Sequence, residues 1–406
     1  TIENLKDAFK YMLVPGIFFE ELGFTYLGPV DGHNISGLCR ILQEAKNIKG
    51  PTLVHVVTQK GKGYKPAEAD PARFHGVGPF NIENGESIQS KLSSFTDCFS
   101  QALCEEATND ERIVAITAAM AEGTGLKNFS KLFPDRFYDV AIAEQHAVTF
   151  AAGLAKSGMK PVVAIYSTFM QRAYDQIIHD VALNKLPVIL ALDRAGLVGP
   201  DGSTHHGAFD LSYLRAIPNL IIFSPKDGEE LKDMLHTALK LEQPVAIRYP
   251  KASTEKVLGP GRLISPGKAE VLHNGNGLNI IAEGVMVGLA LKIREKLALD
   301  GIDTGVINIR SLKPLDAALI GELAQKTPLI TLENNSIIGG LGSAVLETIN
   351  EQGILQKVKC LGLPDDFVPS GSIDELNQDI GLDLEDAIIE IKKFLGLLCV
   401  PGVAAK

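Results

Sequence analysis

Nowhere in this 406-residue sequence do lysines and arginines gather into a block, and 49 acidic side chains against 39 basic ones give a formal charge of −10. Polyanion recognition draws most of its affinity from phosphate contacts, so the lack of a basic face excludes a nucleic-acid binder. Long apolar runs are missing as well. The stretch from Leu186 to Leu192 stops far short of the roughly 18 residues that a membrane helix requires, which excludes a spanning segment. The five cysteines (Cys39, Cys98, Cys104, Cys360, Cys399) are odd in number and show no CxxC spacing. Neither a zinc site nor a disulfide framework is expected, and reduced thiols in a cytoplasmic compartment are. The first residues, Thr1 to Met12, mix charge and hydrophobe as a helix of a soluble protein would, without the basic-then-apolar order of a secretory leader. No methionine opens the chain, and its start inside a helical pattern is what a piece of a longer polypeptide would show.

What is present is an ordinary globular composition, 45% hydrophobic and 22% charged, long enough for two or three domains. Short apolar segments alternate with helical-period segments almost throughout, the pattern of parallel sheets flanked by helices. The expected fold class is α/β with doubly wound parallel sheets. Three blocks emerge: 1–94, 95–262 and 263–406. The first holds a single βαβ unit (strand Phe24 to Leu27, helix Ile35 to Ile48, strand Thr52 to Thr58), too little to cover both faces of a parallel sheet. A long connection from Pro66 to Ser94 follows. The second block places strands at Arg112 to Thr117, Pro161 to Tyr166, Pro187 to Leu192, Leu220 to Phe223 and Val245 to Arg248. Helices Ala143 to Lys156 and Thr168 to Leu183 fall between them. After a loop from Lys251 to Gly267, the third block places strands near Asn279 to Ala282, Thr304 to Ile309, Leu329 to Leu332 and Val358 to Leu361.

Ligands of open α/β sheets sit beyond the carboxyl ends of the strands. That rule selects Asp139 to His146, Tyr166 to Arg172, Asp193 to Phe209 and Arg248 to Lys251. Glu144 opens an otherwise apolar helix; it either complements the helix dipole, a contribution of roughly 0.3–1 kcal/mol, or faces a cleft and exchanges a proton with a ligand nitrogen. The loop Asp193 to Asp210 carries four glycines and the adjacent pair His205 and His206. Adjacent side chains point apart, which disfavours a metal pair; a general acid or base, or solvated loop histidines, remain. Phe169 is a core side chain by default. Arg172 and Arg248 are either structural ion pairs or a bidentate grip on a phosphate. The run Gly339 to Ser343 lacks full GxGxxG spacing and reads as a strand-to-helix packing turn, with no cofactor assigned.

Read together, GPVDGH (Gly28–His33), KGKGY (Lys60–Tyr64), FHGVGPF (Phe74–Phe80), DVAIAEQHAVTFAAGLA (from Asp139), AIYSTFMQRAYDQ (from Ala164), LDRAGLVGPDGSTHHGAFDLSYLR (from Leu192) and RYPKA (from Arg248) closely resemble the 1-deoxy-D-xylulose-5-phosphate synthase family of transketolase-like thiamine diphosphate enzymes, over essentially the whole chain. The resemblance implies the tail of a pyrophosphate-binding domain, a pyrimidine-binding domain and a transketolase C-terminal domain. It also implies condensation of pyruvate with D-glyceraldehyde 3-phosphate, release of carbon dioxide and a role in isoprenoid, thiamine and pyridoxal precursor supply. On that resemblance Glu144 holds the aminopyrimidine ring of thiamine diphosphate, Ile142 wedges the cofactor, Phe169 stacks on it and Tyr64 contacts it. His205 and His75 handle protons, and Tyr166, Arg172, Asp201 and Arg248 form the substrate pocket, the arginines taking the phosphate. A homodimer is implied, in the cytoplasm or, for a plant or alga, the plastid.

One family motif is not found: the GDG followed some 30 residues later by Asn that holds magnesium on the diphosphate. No metal ligand is therefore assigned in this chain. The Mg2+ site is expected in a preceding N-terminal segment, without which the 406 residues should be inactive. The competing readings are the C-terminal half of a split transketolase, the β subunit of a 2-oxoacid dehydrogenase, and a non-catalytic assembly subunit.

Overall fold

The computed structural model describes residues 16–86, 88, 93–254 and 261–397; the Thr1 to Met12 pattern and Cys399 lie outside them. The chain divides into two compact units between Gln89 and Ser90. In the first, β1 (Thr25–Asp31) and β2 (Thr52–Val57) pair in parallel around the helix Ile35–Asn47. That helix starts where the Asn34 side chain accepts a hydrogen bond from the Gly37 amide, satisfying one of the orphan donors of a helix N-terminus. No residue of either strand or of this helix is buried, as expected of a lone βαβ unit. The segment read as connection contains a short helix, Lys65–Ala69, with Pro66 at its first turn.

The second unit carries its strands in chain order as β3 (Ser93–Ser94), β4 (Ile113–Thr117), β5 (Phe137–Asp139), β6 (Lys160–Tyr166), β7 (Ile189–Asp193), β8 (Ile221–Phe223), β9 (Val245–Arg248), β10 (Ser253–Thr254), β11 (Glu270–His273), β12 (Leu278–Ala282), β13 (Thr304–Asn308), β14 (Ser311–Lys313), β15 (Leu329–Ser336) and β16 (Val358–Leu363). A seven-stranded sheet runs β14-β8-β9-β7-β6-β4-β5, parallel except for β14. A five-stranded sheet runs β11-β13-β12-β15-β16, parallel except for β11. Strands β4, β7, β9, β12 and β13 are buried at every position. This is why they read as continuous apolar runs and not as alternations.

The predicted strands are present with ends shifted by at most four residues; the two-residue strands β3 and β10 were not predicted, nor were β5, β11 and β14. The last three are edge strands of three or four residues, too short to show a period. Strand β14 has the larger consequence. It belongs to the third block by sequence, yet it pairs antiparallel with β8 of the second block's sheet. Ile281, Ile307, Ile309, Ile320 and Leu329 also join the core formed by the helix Glu144–Lys156 and the inner strands of the larger sheet. The two sequence blocks therefore share one core. On the opposite face of the larger sheet, the helices Phe95–Asn109 and Gly228–Ala238 close a second core. The first of these helices begins in a reciprocal capping box between Ser94 and Asp97.

The predicted helix from Thr168 to Leu183 is not continuous. It breaks into α turns at Ser167–Met170 and Tyr174–Gln176, a 3-10 turn at Gln171–Ala173 and a π turn at Ile177–Ala182. Inserted π turns widen a helix locally and recur at functional sites.

Asp193, at the carboxyl end of β7, is fully buried and receives the Thr96 hydroxyl at 2.7 Å. Burial pushes its carboxyl up to about 7, against the opposing pull of Thr96. The folded state therefore holds a proton that the unfolded state has already released, and stability falls as pH rises from about 4 to about 7, by at most about 1.4 kcal/mol per pH unit. Urea titrations at pH 5 and pH 8 should show Asp193→Asn gaining stability relative to the parent at the higher pH. Parallel curves for the two proteins would contradict this.

Candidate active site

In the larger sheet the chain leaves β4 for β5 on one side and then resumes at β6 on the other, so the strand order reverses between β4 and β6. A crevice opens beyond the carboxyl ends of strands at such a reversal. Tyr166 ends β6, and its hydroxyl lies against Gly123 in the loop after β4: a Cβ placed on Gly123 would be only 1.8 Å from it. Asp139 ends β5 and accepts hydrogen bonds from the amides of Ala119 at 2.8 Å and Ala141 at 3.0 Å. Both alanines have positive φ, 58° and 59°, a conformation L residues adopt sparingly and one often found where a site needs a sharp turn. Asp139 thereby fixes the bend that delivers Ile142 and Glu144. This role went unseen in the sequence because it depends on a contact across two loops.

Glu144 begins the helix Glu144–Lys156 and is only 3% exposed, whereas neighbouring Ile142 is 73% exposed. Its Oε2 lies 3.5 Å from Nη1 of Arg172, whose side chain is 58% exposed. At that separation the contact is at the outer limit of a hydrogen bond, so the carboxylate retains acceptor capacity for another donor. At the end of β6 stands an aromatic stack. Tyr166 and Phe169 lie with ring centroids 5.8 Å apart, and the His205 ring meets Phe169 edge-on at 5.3 Å.

Arg194 was not singled out by the sequence, yet its guanidinium lies 3.7 Å above the Tyr166 ring, a cation–π contact. Its φ of 62° lies in the left-handed region, as at the two alanines. Burial lowers its pKa, with Asp201 opposing; an arginine remains charged regardless. Asp201 pairs with Lys251 at 2.7 Å. Burial disfavours its charge, but Lys251, Arg194 and His205 outweigh that and hold the carboxyl below its ordinary value.

The predicted residues Ile142, Glu144, Tyr166, Phe169, Arg172, Asp201 and His205 all belong to these strand exits and to the loop after β7. Tyr64 and His75 belong to the first unit. Tyr64 donates to the Ile82 carbonyl at 2.8 Å and packs with Phe74 and Phe80, while His75 contacts the Lys60 ammonium through Nδ1.

The expectation for Arg248 needs correction. It is 2% exposed, and its Nε donates to Asp210 at 2.9 Å, its Nη1 to Glu283 at 2.7 Å and its Nη2 to the Asn334 carbonyl at 2.9 Å. Two carboxylates already neutralise this cation inside the protein, so it is not available to an outside phosphate. The adjacent histidines separate as their backbone geometry requires: His206 is buried and His205 is partly exposed. The turn at Gly339 to Ser343 is a strand-to-helix turn, with Glu333 accepting from the amides of Leu341 and Gly342 at the helix start.

Three protein families match the chain: the 1-deoxy-D-xylulose-5-phosphate synthase N-terminal family over residues 1–58, the transketolase pyrimidine-binding domain over residues 93–256 and the transketolase C-terminal domain over residues 267–386. A curated 1-deoxy-D-xylulose-5-phosphate synthase of Syntrophomonas wolfei is 52% identical over 95% of the chain. That of Carboxydothermus hydrogenoformans is 52% identical over 98%. The chain belongs to the 1-deoxy-D-xylulose-5-phosphate synthase family. It spans 61% and 64% of the lengths of these two synthases. Among solved structures, a split-gene transketolase, an inactive β4 tetramer, is 32% identical with a TM-score of 0.68, covering 75% of this chain and 99% of that one. A Campylobacter jejuni transketolase at 18% identity and TM-score 0.64 shares the fold, covering 93% of this chain and 68% of its own. The synthase family thus accounts for both matched domains of the second unit and for the start of the first.

Removing one partner from a buried ion network leaves the others uncompensated, typically at a cost of about 3–5 kcal/mol. Arg248→Met should lose stability on that scale in denaturant unfolding. A residue that served only an external phosphate would leave the midpoint unchanged.

Proposed function

We propose that the protein containing this chain condenses pyruvate with D-glyceraldehyde 3-phosphate, giving 1-deoxy-D-xylulose 5-phosphate and carbon dioxide, with thiamine diphosphate as cofactor. One carbon–carbon bond of pyruvate breaks to release its carboxyl as carbon dioxide. One forms between the remaining two-carbon unit and the aldehyde carbon, so three and three carbons become five and one. The observation that carries the reading is the buried Glu144 carboxylate with open acceptor capacity beside Arg172, together with an exposed Ile142 after β5 and the stacked Tyr166 and Phe169 rings after β6. These side chains fit the aminopyrimidine half of the cofactor: a carboxylate acceptor for a ring N–H, an aromatic face and an apolar wedge. Bound there, the cofactor supplies the electron sink that the bond cleavage needs.

The chain's own residues then have defined tasks. Glu144 accepts a hydrogen bond from the pyrimidine ring and fixes its orientation. Phe169 and Ile142 cover the ring faces and exclude water. His205, with Nδ1 against Thr204 Oγ1 at 2.9 Å, presents its other nitrogen for proton exchange with substrate. Tyr166 and Asp201 line the substrate pocket. Arg172 and Arg194 supply the positive charge for the triose phosphate, the task first expected of Arg248.

Among the described residues no group of three or more His, Cys, Asp or Glu side chains is placed to hold a metal ion. We place the magnesium and diphosphate anchor in the part of the family's length that lies outside this chain, and infer a homodimer in the cytoplasm. The 406 residues alone should then show no turnover.

The test is product analysis with pyruvate, D-glyceraldehyde 3-phosphate, thiamine diphosphate and Mg2+, on this chain alone and on a polypeptide of the family's full length containing it. The longer protein should form the 1-deoxyketose phosphate and the shorter none. A transketolase would instead transfer a two-carbon unit between sugar phosphates without carbon dioxide release. Glu144→Gln should lower kcat by about 10²-fold or more. Undiminished turnover in that variant would remove Glu144 from the mechanism.

A further inference from the structure

The third block supplies none of the residues assigned to the site, yet it meets the site's longest loop repeatedly. Gly196 has a φ of 76°, and a Cβ on it would lie 2.0 Å from the Asn334 side chain. The Leu197 amide donates to Asn334 Oδ1 at 3.2 Å, and the Ser336 amide to the Ala208 carbonyl at 2.7 Å. Phe209 meets Phe367 edge-on at 6.3 Å. Between these contacts lies His206, buried in a loop where Asp201, Ser203 and Thr204 are exposed and His205 is partly exposed.

The two ring nitrogens of His206 do different things. The Val198 amide donates to Nδ1 at 3.1 Å, within the loop, and Nε2 lies 3.1 Å from the Pro369 carbonyl, just beyond β16 in the third block. An amide N–H can only donate and a carbonyl can only accept, so Nδ1 is the bare nitrogen and Nε2 carries the hydrogen. The imidazole is thus a strut of defined tautomer. One end closes the turn from Val198 to His206, which contains Asp201 and His205; the other ties that turn to the third block.

We propose that His206 is a positioning residue: by bridging Val198 to Pro369 it holds the loop so that Asp201 and His205 face the substrate crevice. This gives the third block a task in the reaction, namely to set the geometry of a loop it does not contain. The inference rests on the site reading above, but its physical core, the bridge, can be tested without turnover.

A glutamine reproduces both contacts, because its amide oxygen accepts and its amide nitrogen donates. Alanine makes neither, and asparagine is one methylene shorter. In the 406-residue chain, amide hydrogen exchange at Val198 and across 202–207 should quicken about tenfold in His206→Ala and return to within about threefold of the parent in His206→Gln. Ring 15N shifts of His206 should report the Nε2–H tautomer. In the full-length enzyme, kcat/KM should fall about tenfold in His206→Ala and recover in His206→Gln, a rescue that loss of packing volume alone would not give. If the alanine variant does not fold, asparagine against glutamine makes the same comparison. Unchanged exchange in alanine and asparagine variants, or a folded glutamine variant no better than alanine, would overturn the proposal. Absence of turnover in the parent would sink the functional reading and leave the exchange arm to decide the bridge.

Discussion

The guanidinium of Arg248 is the point on which the rest of the second unit depends. It ends β9, inside the protein, and binds Asp210 from the first turn of the helix Asp210–Arg215, Glu283 just after β12 and the Asn334 carbonyl from β15. Burial alone would disfavour its charge; the two carboxylates outweigh burial and hold it ionised. Each carboxylate is in turn shared. Asp210 accepts from Ser167 Oγ at 2.9 Å, at the start of the broken helix that carries Phe169 and Arg172, and Glu283 accepts from the Asn334 amide at 2.8 Å. A charge network out of water repays its desolvation only when its donors and acceptors are nearly all used. Here that requirement fixes four chain segments relative to one another. Glu333 lies close by, its carboxyl pushed up to about 7 by burial against the pull of the Gly342 and Leu341 amides.

Around this rigid centre the candidate site combines buried groups held in place by the fold with exposed groups at the strand ends. Asp139, Gly123 and Glu144 are set by backbone contacts at a strand reversal, whereas Ile142 and Arg172 project outward. The formal charge of −10 does not describe this place. Arg172 reaches Glu144, and Lys251, Arg194 and His205 keep Asp201 ionised. An acidic protein can hold a locally positive pocket when its carboxylates elsewhere face solvent or one another.

Much of the secondary structure was legible, because fully buried parallel strands leave unbroken apolar runs and their flanking helices a 3.6-residue period. The edge strands β5, β11 and β14 were not, since three or four residues carry no period. Neither was the π turn at Ile177–Ala182, which keeps a helical sequence pattern while changing the hydrogen-bond step. At the site, Glu144 stood out as a carboxylate opening an apolar helix, and the histidine pair stood out by loop composition. Arg194 and Asp139 left no local mark. For Arg248 the residue was rightly singled out and its two possible roles were visible, but the phosphate was chosen over the ion pair.

The amino-acid sequence by itself determined the α/β class, the position of nearly every inner strand, the family and the set of loops that gather at the strand ends. These are local or compositional properties, carried by periodicity and by short motifs. Only the tertiary structure decided which charged side chain meets which. Arg172 and Arg248 both follow strand ends, but the carboxylates that claim Arg248 arrive from residues 38 and 35 positions away in opposite directions, and no local pattern encodes that meeting. The same holds for His205 and His206, identical in type and adjacent in sequence. One faces an aromatic ring at the crevice and the other a carbonyl in another block, because alternate side chains of a tightly folded loop must point apart.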